Sequence, residues 1–395
     1  MPIFQPELEA MPRPELERLQ RERLRERFGV EFEALPEQPF RVKSELRDAY
    51  PFGLLQVPLA DCVRIHASSG TRGKATIVAY TRADLAAWAD CCARALAAAG
   101  AGPGTRVHVA YGYGLFTGGL GLHYGAERLG CTVVPASGGN TPRQVQLLED
   151  LGAEILCCTP SYALAIADHV SDPARLGLRA GLFGAEPWTE GLREAIERAL
   201  ELTAVDIYGL SEVMGPGVSA ECAEARDGAH VNEDHFLVEA VDPESGQPLP
   251  DGAVGELVFT TLTKEALPLL RYRTGDLASL TREPCACGRT FARMSRVVGR
   301  TDDMLIIRGV NVFPSEIERA LLAIPELAPH YQLVVERPGR LDELTVQVEG
   351  SVDVALVRGQ LERTLGLSAE VDVLPPGSIP RSEGKALRVL DRRPA

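Results

Sequence analysis

The sequence predicts an α/β protein: a large domain of α/β sheets carrying a barrel-like β piece, followed by a small α+β unit at the C-terminus. Three observations lead there. Between Tyr80 and Tyr208, helical patterns alternate with short apolar strand patterns, as in a sheet with helices on both faces. From Phe236 the strands become shorter and are separated by turn sequences, Asp242-Pro243-Glu244-Ser245-Gly246 and Pro250-Asp251-Gly252 among them, which points to a more antiparallel piece. Beyond Phe313 the order becomes helix, strand, strand, helix, strand.

In chain order, residues 7–28 carry dense mixed charge with leucines three to five apart, the pattern of one amphipathic helix with a solvated face. Pro36, Pro39 and Tyr50-Pro51 then break the chain into turns. The loop Ser68-Ser69-Gly70-Thr71-Arg72-Gly73-Lys74 follows, and the apolar run Ile77-Val78-Ala79-Tyr80 after it reads as a strand, so the loop joins two strands. Its hydroxyls, glycines and cations suit a turn whose backbone N–H groups close on phosphate oxygens. A Walker loop opens a helix and reads GxxxxGK[ST], which this stretch does not match, and this argues against an ordinary P-loop NTPase. Taken alone, the loop is equally an ordinary turn. An Ala-rich helix is expected at 84–99, with strands at 107–111, 132–135, 154–158 and 204–208. The last unit reads as helix 314–323, strands 332–336 and 343–349, helix 354–365 and strand 370–374.

A formal charge of -14, with no Lys/Arg cluster, argues against a nucleic-acid partner. No stretch approaches the roughly 18 to 20 apolar residues of a membrane span, and Met1-Pro2-Ile3-Phe4 does not open a signal peptide, so the expectation is a soluble cytoplasmic protein with no membrane partner. The 9 cysteines then read as reduced thiols or metal ligands. Cys91, Cys92, Cys157 and Cys158 lie in apolar surroundings and read as core. Cys285-Ala286-Cys287-Gly288 is a turn that can present two thiolates to one metal. Cys222 and His230 would complete a Cys₃His zinc site, with His235 as the rival fourth ligand and reduced thiols in a turn as the alternative.

Four further stretches follow the first loop in order: Asp206-Ile207-Tyr208-Gly209-Leu210-Ser211-Glu212, Arg271-Tyr272-Arg273-Thr274-Gly275-Asp276, Gly299-Arg300-Thr301-Asp302-Asp303 and Pro380-Arg381-Ser382-Glu383-Gly384-Lys385. Together they resemble the adenylate-forming superfamily. More narrowly, HASSGTRGK, YGYGLFTGGLG, GAEPWT, DIYGLSEVMGPG, LTKEALPLLRYRTGDL, CACGRT, DDMLIIRGVNVFPSEIE and IPRSEGKALRV resemble the phenylacetate-CoA ligase family, from about Arg41 to the C-terminus.

That resemblance implies the adenylate-forming fold, with an adenylation domain at 1–301, a small mobile domain at 302–395 and a homodimer. It implies an acid–thiol ligase that joins an aryl acid to AMP using ATP and Mg²⁺, then passes the aryl group to CoA. Ser68, Ser69, Gly70, Thr71, Gly73 and Lys74 would hold phosphates, and Glu212 would hold Mg²⁺. Tyr208 would stack on adenine beside Gly184, Ala185, Glu186 and Pro187, and Asp276 would accept from the ribose hydroxyls. Asp206, Gly209, Ser211 and Arg300 complete the nucleotide set. Lys385 would be the catalytic cation on the carboxylate and the α-phosphate. Asp302 matches the hinge, and Arg308 and Gly309 the CoA channel. Tyr111, Tyr113, Phe116, Ile207, Met214, Gly215 and Pro216 match stretches lining the aryl pocket, where aromatic and small residues suit a flat ring. Taken singly, each is an ordinary cap, turn or core residue; their joint order carries the assignment. No cation within the pocket stretches selects among phenylacetate, benzoate and amino- or hydroxybenzoates.

The sequence departs from the family pattern in three places. Arg72 stands where the family usually has a second Thr, Ala75 where it has Pro, and the region before Arg41 is short. Such trimming also fits a biosynthetic member that passes its aryl group to a carrier-protein thiol, an amine or a hydroxyl. A non-catalytic nucleotide binder is the third reading, and Lys385, Glu212 and Asp276 all speak against it.

Overall fold

The computed structural model describes residues 2–68, 75–301, 303–308, 310–339 and 341–393. Ser69, Gly70, Thr71, Arg72, Gly73, Lys74, Asp302 and Gly309 therefore lie outside the described residues. The large domain is organised on a 9-stranded mixed sheet. Thr132–Val134, Arg106–Val109, Ile155–Cys158, Ala180–Gly184 and Thr203–Leu210 pair in parallel in that spatial order. Gly215–Ala220 and Ala229–Val231 then extend the sheet antiparallel. Alternate strand residues enter different cores: Ile155 and Cys157 pack with Leu96 and Leu122 of the helices on one face, Leu156 and Cys158 with Tyr162 and Ile196 of the helices on the other. Cys91, Cys92, Cys157 and Cys158 are all fully buried, as core residues.

Two expectations are corrected. The β piece after Phe236 is an open 4-stranded antiparallel sheet and not a barrel, in the order Phe236–Val241, Gly255–Thr261, Tyr272–Ala278, Gly299–Arg300. Its last strand is only 2 residues long, too short to close back on the first. The expected helix over 7–28 is two helices, Pro6–Glu9 and Arg13–Phe28. Pro12 caps the second and Pro14 lies in its first turn, where a residue without an N–H is tolerated but a preceding helix cannot continue through it.

The small domain has its own core, from Leu305 on the hairpin Leu305–Ile307/Val310–Val312 to Val371, under the helices Pro314–Leu322 and Val354–Leu365. Its 4-stranded sheet gains a strand absent from the sequence reading, Val389–Asp391, parallel to Leu327–Glu336. That late strand returns the chain to the sheet just after Lys385. Among the described residues, no helix is long and apolar enough to cross a membrane.

Candidate functional site

Several of the predicted residues lie where the parallel strands end at their carboxyl edge, the usual crevice of an open α/β sheet. Ile155–Cys158 runs out at Thr159, Ala180–Gly184 at Ala185 and Glu186, and Thr203–Leu210 at Ser211 and Glu212. Glycine is required in this packing, since a Cβ at Gly184 would lie 1.9 Å from Ile207 O and one at Gly209 1.8 Å from Gly215 O. Ala185 takes a left-handed turn, φ 73°, which swings the following Glu186 and Pro187 out of the sheet.

Tyr208 and Asp276 come together from different sheets: the Tyr208 hydroxyl donates to Asp276 Oδ2 at 2.6 Å. Arg300 donates to the other Asp276 oxygen and to Thr274 O. The Tyr208 ring stacks on Phe259, centroids 6.1 Å apart. Asp206 stands elsewhere. It lies against Glu221 and Arg296, and burial together with the Glu221 charge pushes its pKa up to about 7. Ser68 closes the base of the first loop, its N–H donating to Thr76 O at 2.9 Å.

Glu212 is 3% exposed, and its position is fixed by a residue to which the sequence reading gave no role. Lys264, fully buried, donates from Nζ to Glu212 O at 3.0 Å and Val213 O at 2.9 Å. Desolvation pushes the Lys264 pKa down to about 8. The Tyr80 hydroxyl holds the next turn, donating to Met214 O at 2.7 Å, and Ser211 Oγ meets Thr117 Oγ1 at 3.1 Å. Glu212 Oε1 forms an ion pair with Lys43 Nζ at 3.2 Å and makes no hydrogen bond. A buried carboxylate whose oxygen is held only by the charge of a partly exposed lysine fits a divalent cation.

The expected aryl-pocket residues divide between two cores. Tyr111 and Ile207 pack together with the half-buried Tyr113 and Phe116. Met214 belongs to a separate cluster with Tyr80 and Trp88, and the Pro216 carbonyl accepts from Trp88 Nε1. A Cβ at Gly215 would come within 2.5 Å of that indole ring. Lys385, on the loop before the last strand, reaches across from the small domain to Phe116, with Nζ 5.6 Å from the ring centroid. Desolvation lowers its pKa; Glu186 and Glu212 oppose that, while Arg300 and Lys43 add to it. Arg308 is exposed on the small-domain hairpin and donates to Ser368 O at 2.6 Å.

A metal-type cluster sits at the edge of the large sheet. Ligand atoms of Cys222, His230, Cys285 and Cys287 all lie within 4.8 Å of one another. Strand pairing assembles it, because Arg293–Met294, just after the CxC turn, pairs with Ala229–Val231. His230 Nε2 faces Cys287 Sγ at 3.4 Å, and its buried Nδ1 has no partner. Three thiols and an imidazole converging in this way are a zinc donor set. His235 is excluded as the rival ligand: its Nδ1 bonds Thr263 Oγ1 at 2.8 Å and its Nε2 lies 3.3 Å from Asp234.

Two family models match the chain: the AMP-binding enzyme model over residues 114–262 and the AMP-binding enzyme C-terminal domain over residues 309–393. A phenylacetate-coenzyme A ligase of Thermus thermophilus is 51% identical over 443 aligned positions, covering 99% of this chain and 100% of that protein. The alignment runs longer than the 395 residues here, so the Thermus protein carries segments that this chain lacks. Among solved structures, a 2-hydroxyisobutyryl-CoA ligase in the postadenylation state with 2-HIB-AMP superposes with TM-score 0.88 at 30% identity, over 99% of this chain and 94% of that one. The same ligase with CoA in the thioesterification state gives 0.71 at 30% identity, over 100% and 94%. This chain thus superposes better on the postadenylation structure of that ligase than on its thioesterification structure.

Proposed function

The chain belongs to the phenylacetate-coenzyme A ligase family of AMP-binding enzymes, and from that premise we propose that its acid is phenylacetate and that Lys385 is its catalytic cation. The enzyme is an AMP-forming acid–thiol ligase: ATP and an aryl acid give an aryl-adenylate and pyrophosphate, and CoA then displaces AMP. The observation that carries the residue assignment is the reach of Lys385 from the small domain to Phe116, in a chain that superposes better on the postadenylation structure than on the thioesterification one.

In the first half-reaction an acid oxygen attacks the α-phosphorus, and the bond to pyrophosphate breaks. Two anions must approach, so the Lys385 ammonium is worth most where it can bridge the carboxylate and the α-phosphate. The apolar wall of Tyr111, Tyr113, Phe116 and Ile207 takes the aryl ring and excludes water. Tyr208, backed by Phe259, takes adenine, and Asp276 accepts the ribose hydroxyls with Arg300 fixing it from behind. Glu212 would hold Mg²⁺, which would supply positive charge against the pyrophosphate leaving group. The domain rotation pivots at Asp302, withdraws Lys385 and brings the hairpin of Arg308 to the large domain for the CoA step. Cys222, His230, Cys285 and Cys287 would hold zinc, which would tie the sheet edge together and take no part in the chemistry.

The test is pyrophosphate release with phenylacetate, benzoate, anthranilate and 3-hydroxyanthranilate, each supplied with ATP and Mg²⁺. Release with phenylacetate at the highest kcat/KM supports the reading. Release confined to a benzoate or an aminobenzoate moves the substrate, and none with any acid removes it.

A further inference from the structure

Lys385 has a flexible side chain and sits on a loop of the smaller domain, so aiming its ammonium requires that loop to be fixed relative to the large domain. Two hydrogen bonds do this, one on either side of it. Thr159 Oγ1 donates to Gly384 O at 2.8 Å, and Ala386 N donates to Glu186 Oε2 at 2.8 Å. Both partners are themselves anchored on one helix, Pro160–Ala167. Thr159 caps it by accepting from Tyr162 N at 3.2 Å, and Glu186 Oε1 accepts from Ser161 N at 2.7 Å. The loop arrives prefolded, with Ser382 Oγ donating to Lys385 O at 2.8 Å. Its approach depends on two glycines of the large domain: a Cβ at Gly138 would lie 3.0 Å from Glu383 O, and one at Gly139 3.0 Å from Glu383 Oε2.

Each carboxylate oxygen of Glu186 is taken by a backbone N–H, one from the helix and one from the loop of Lys385. We propose that Thr159 and Glu186 are positioning residues for Lys385, bracketing it in the adenylating arrangement and playing no part in thioester formation. Both bonds cross the domain interface, so the rotation that prepares the CoA step breaks them. The inference rests on the assignment of Lys385 as catalytic cation, and its test separates the two.

The experiment uses the full chain with Glu186→Gln, Thr159→Val and Lys385→Ala, each assayed in two half-reactions. Adenylation is read by phenylacetate-dependent ATP–pyrophosphate exchange. Thioester formation is read from synthetic phenylacetyl-adenylate, at saturation, plus CoA without ATP. The proposal expects Glu186→Gln and Thr159→Val each to lower the adenylation kcat by roughly 10- to 100-fold. The KM for ATP should stay near wild type, as should the rate from supplied adenylate. Retained thioester formation also shows that a variant is folded; should Thr159→Val lose its helix cap and unfold, Glu186→Gln decides alone. Equal losses in both half-reactions, or none in either while Lys385→Ala abolishes adenylation, would overturn the bracket. Full adenylation by Lys385→Ala would instead overturn the assignment of the lysine.

Discussion

Asp276 and Lys385 face the same cleft, but they are held there in different ways. Asp276 is 6% exposed in a strand of the large domain, locked by Tyr208 on one oxygen and Arg300 on the other, over a core that includes Phe259 and Tyr272. Lys385 is carried by a loop whose nearest ties to the large domain are the hydrogen bonds of Thr159 and Glu186, with an ion pair from Arg381 to Asp168 farther along. Apolar burial makes the first side permanent, whereas a few directional bonds, which cost little to exchange with water, make the second side releasable. On the proposed assignment, an enzyme that holds adenosine through two reactions and uses Lys385 in only one needs this asymmetry.

Removing the lysine should have the largest effect. Lys385→Ala is expected to slow pyrophosphate exchange by roughly 100- to 1,000-fold and to leave the conversion of supplied adenylate to thioester intact. Loss of both activities would mean that the two sides are not functionally separate. Asp276→Asn, on the permanent side, should behave in the opposite way. Weakening a charge-assisted hydrogen bond to the ribose costs about 1.5–3 kcal/mol, a rise of roughly 10- to 100-fold in the apparent KM for ATP and for supplied adenylate alike. A defect confined to the ATP step would count against that placement.

The pH profile sharpens the contrast. Lys385 must be protonated to act, and desolvation lowers its pKa, so adenylation should be intact at neutral pH and fall as pH rises through a value below that of a free lysine. Among the described residues, Glu186 and Glu212 raise its pKa and Arg300 and Lys43 lower it. Glu186→Gln should therefore move the alkaline limb to lower pH, an effect that a purely structural contact would not produce. The smallest effect on turnover is expected from Cys285→Ser or a zinc chelator. Either should lower Tm while leaving kcat near wild type, and purified protein free of zinc would remove the metal from the account.

The residues most legible in the sequence carry a local signature: an aromatic and an acid at a strand end (Tyr208, Glu212), an acid after a glycine turn (Asp276), and a lysine after Ser-Glu-Gly (Lys385). The supporting residues were not legible, because their meaning depends on partners far along the chain. Thr159 lies 225 positions from Gly384, and Lys264 52 positions from Glu212. Lys264 was visible within LTKEALP, but nothing local to that stretch says that its ammonium is buried under the Glu212 turn. Lys43 gave no signal at all. The choice of His230 over His235 likewise depends on which strand meets Arg293–Met294, a matter of sheet pairing and not of spacing. For the same reason the barrel-like expectation failed while its antiparallel strands were read correctly.

The most direct test of the whole account is product analysis by mass spectrometry with phenylacetate, ATP, Mg²⁺ and CoA. The account predicts phenylacetyl-CoA, AMP and pyrophosphate in equal amounts. Accumulation of phenylacetyl-adenylate with CoA unconsumed, or release of ADP and phosphate, would contradict it.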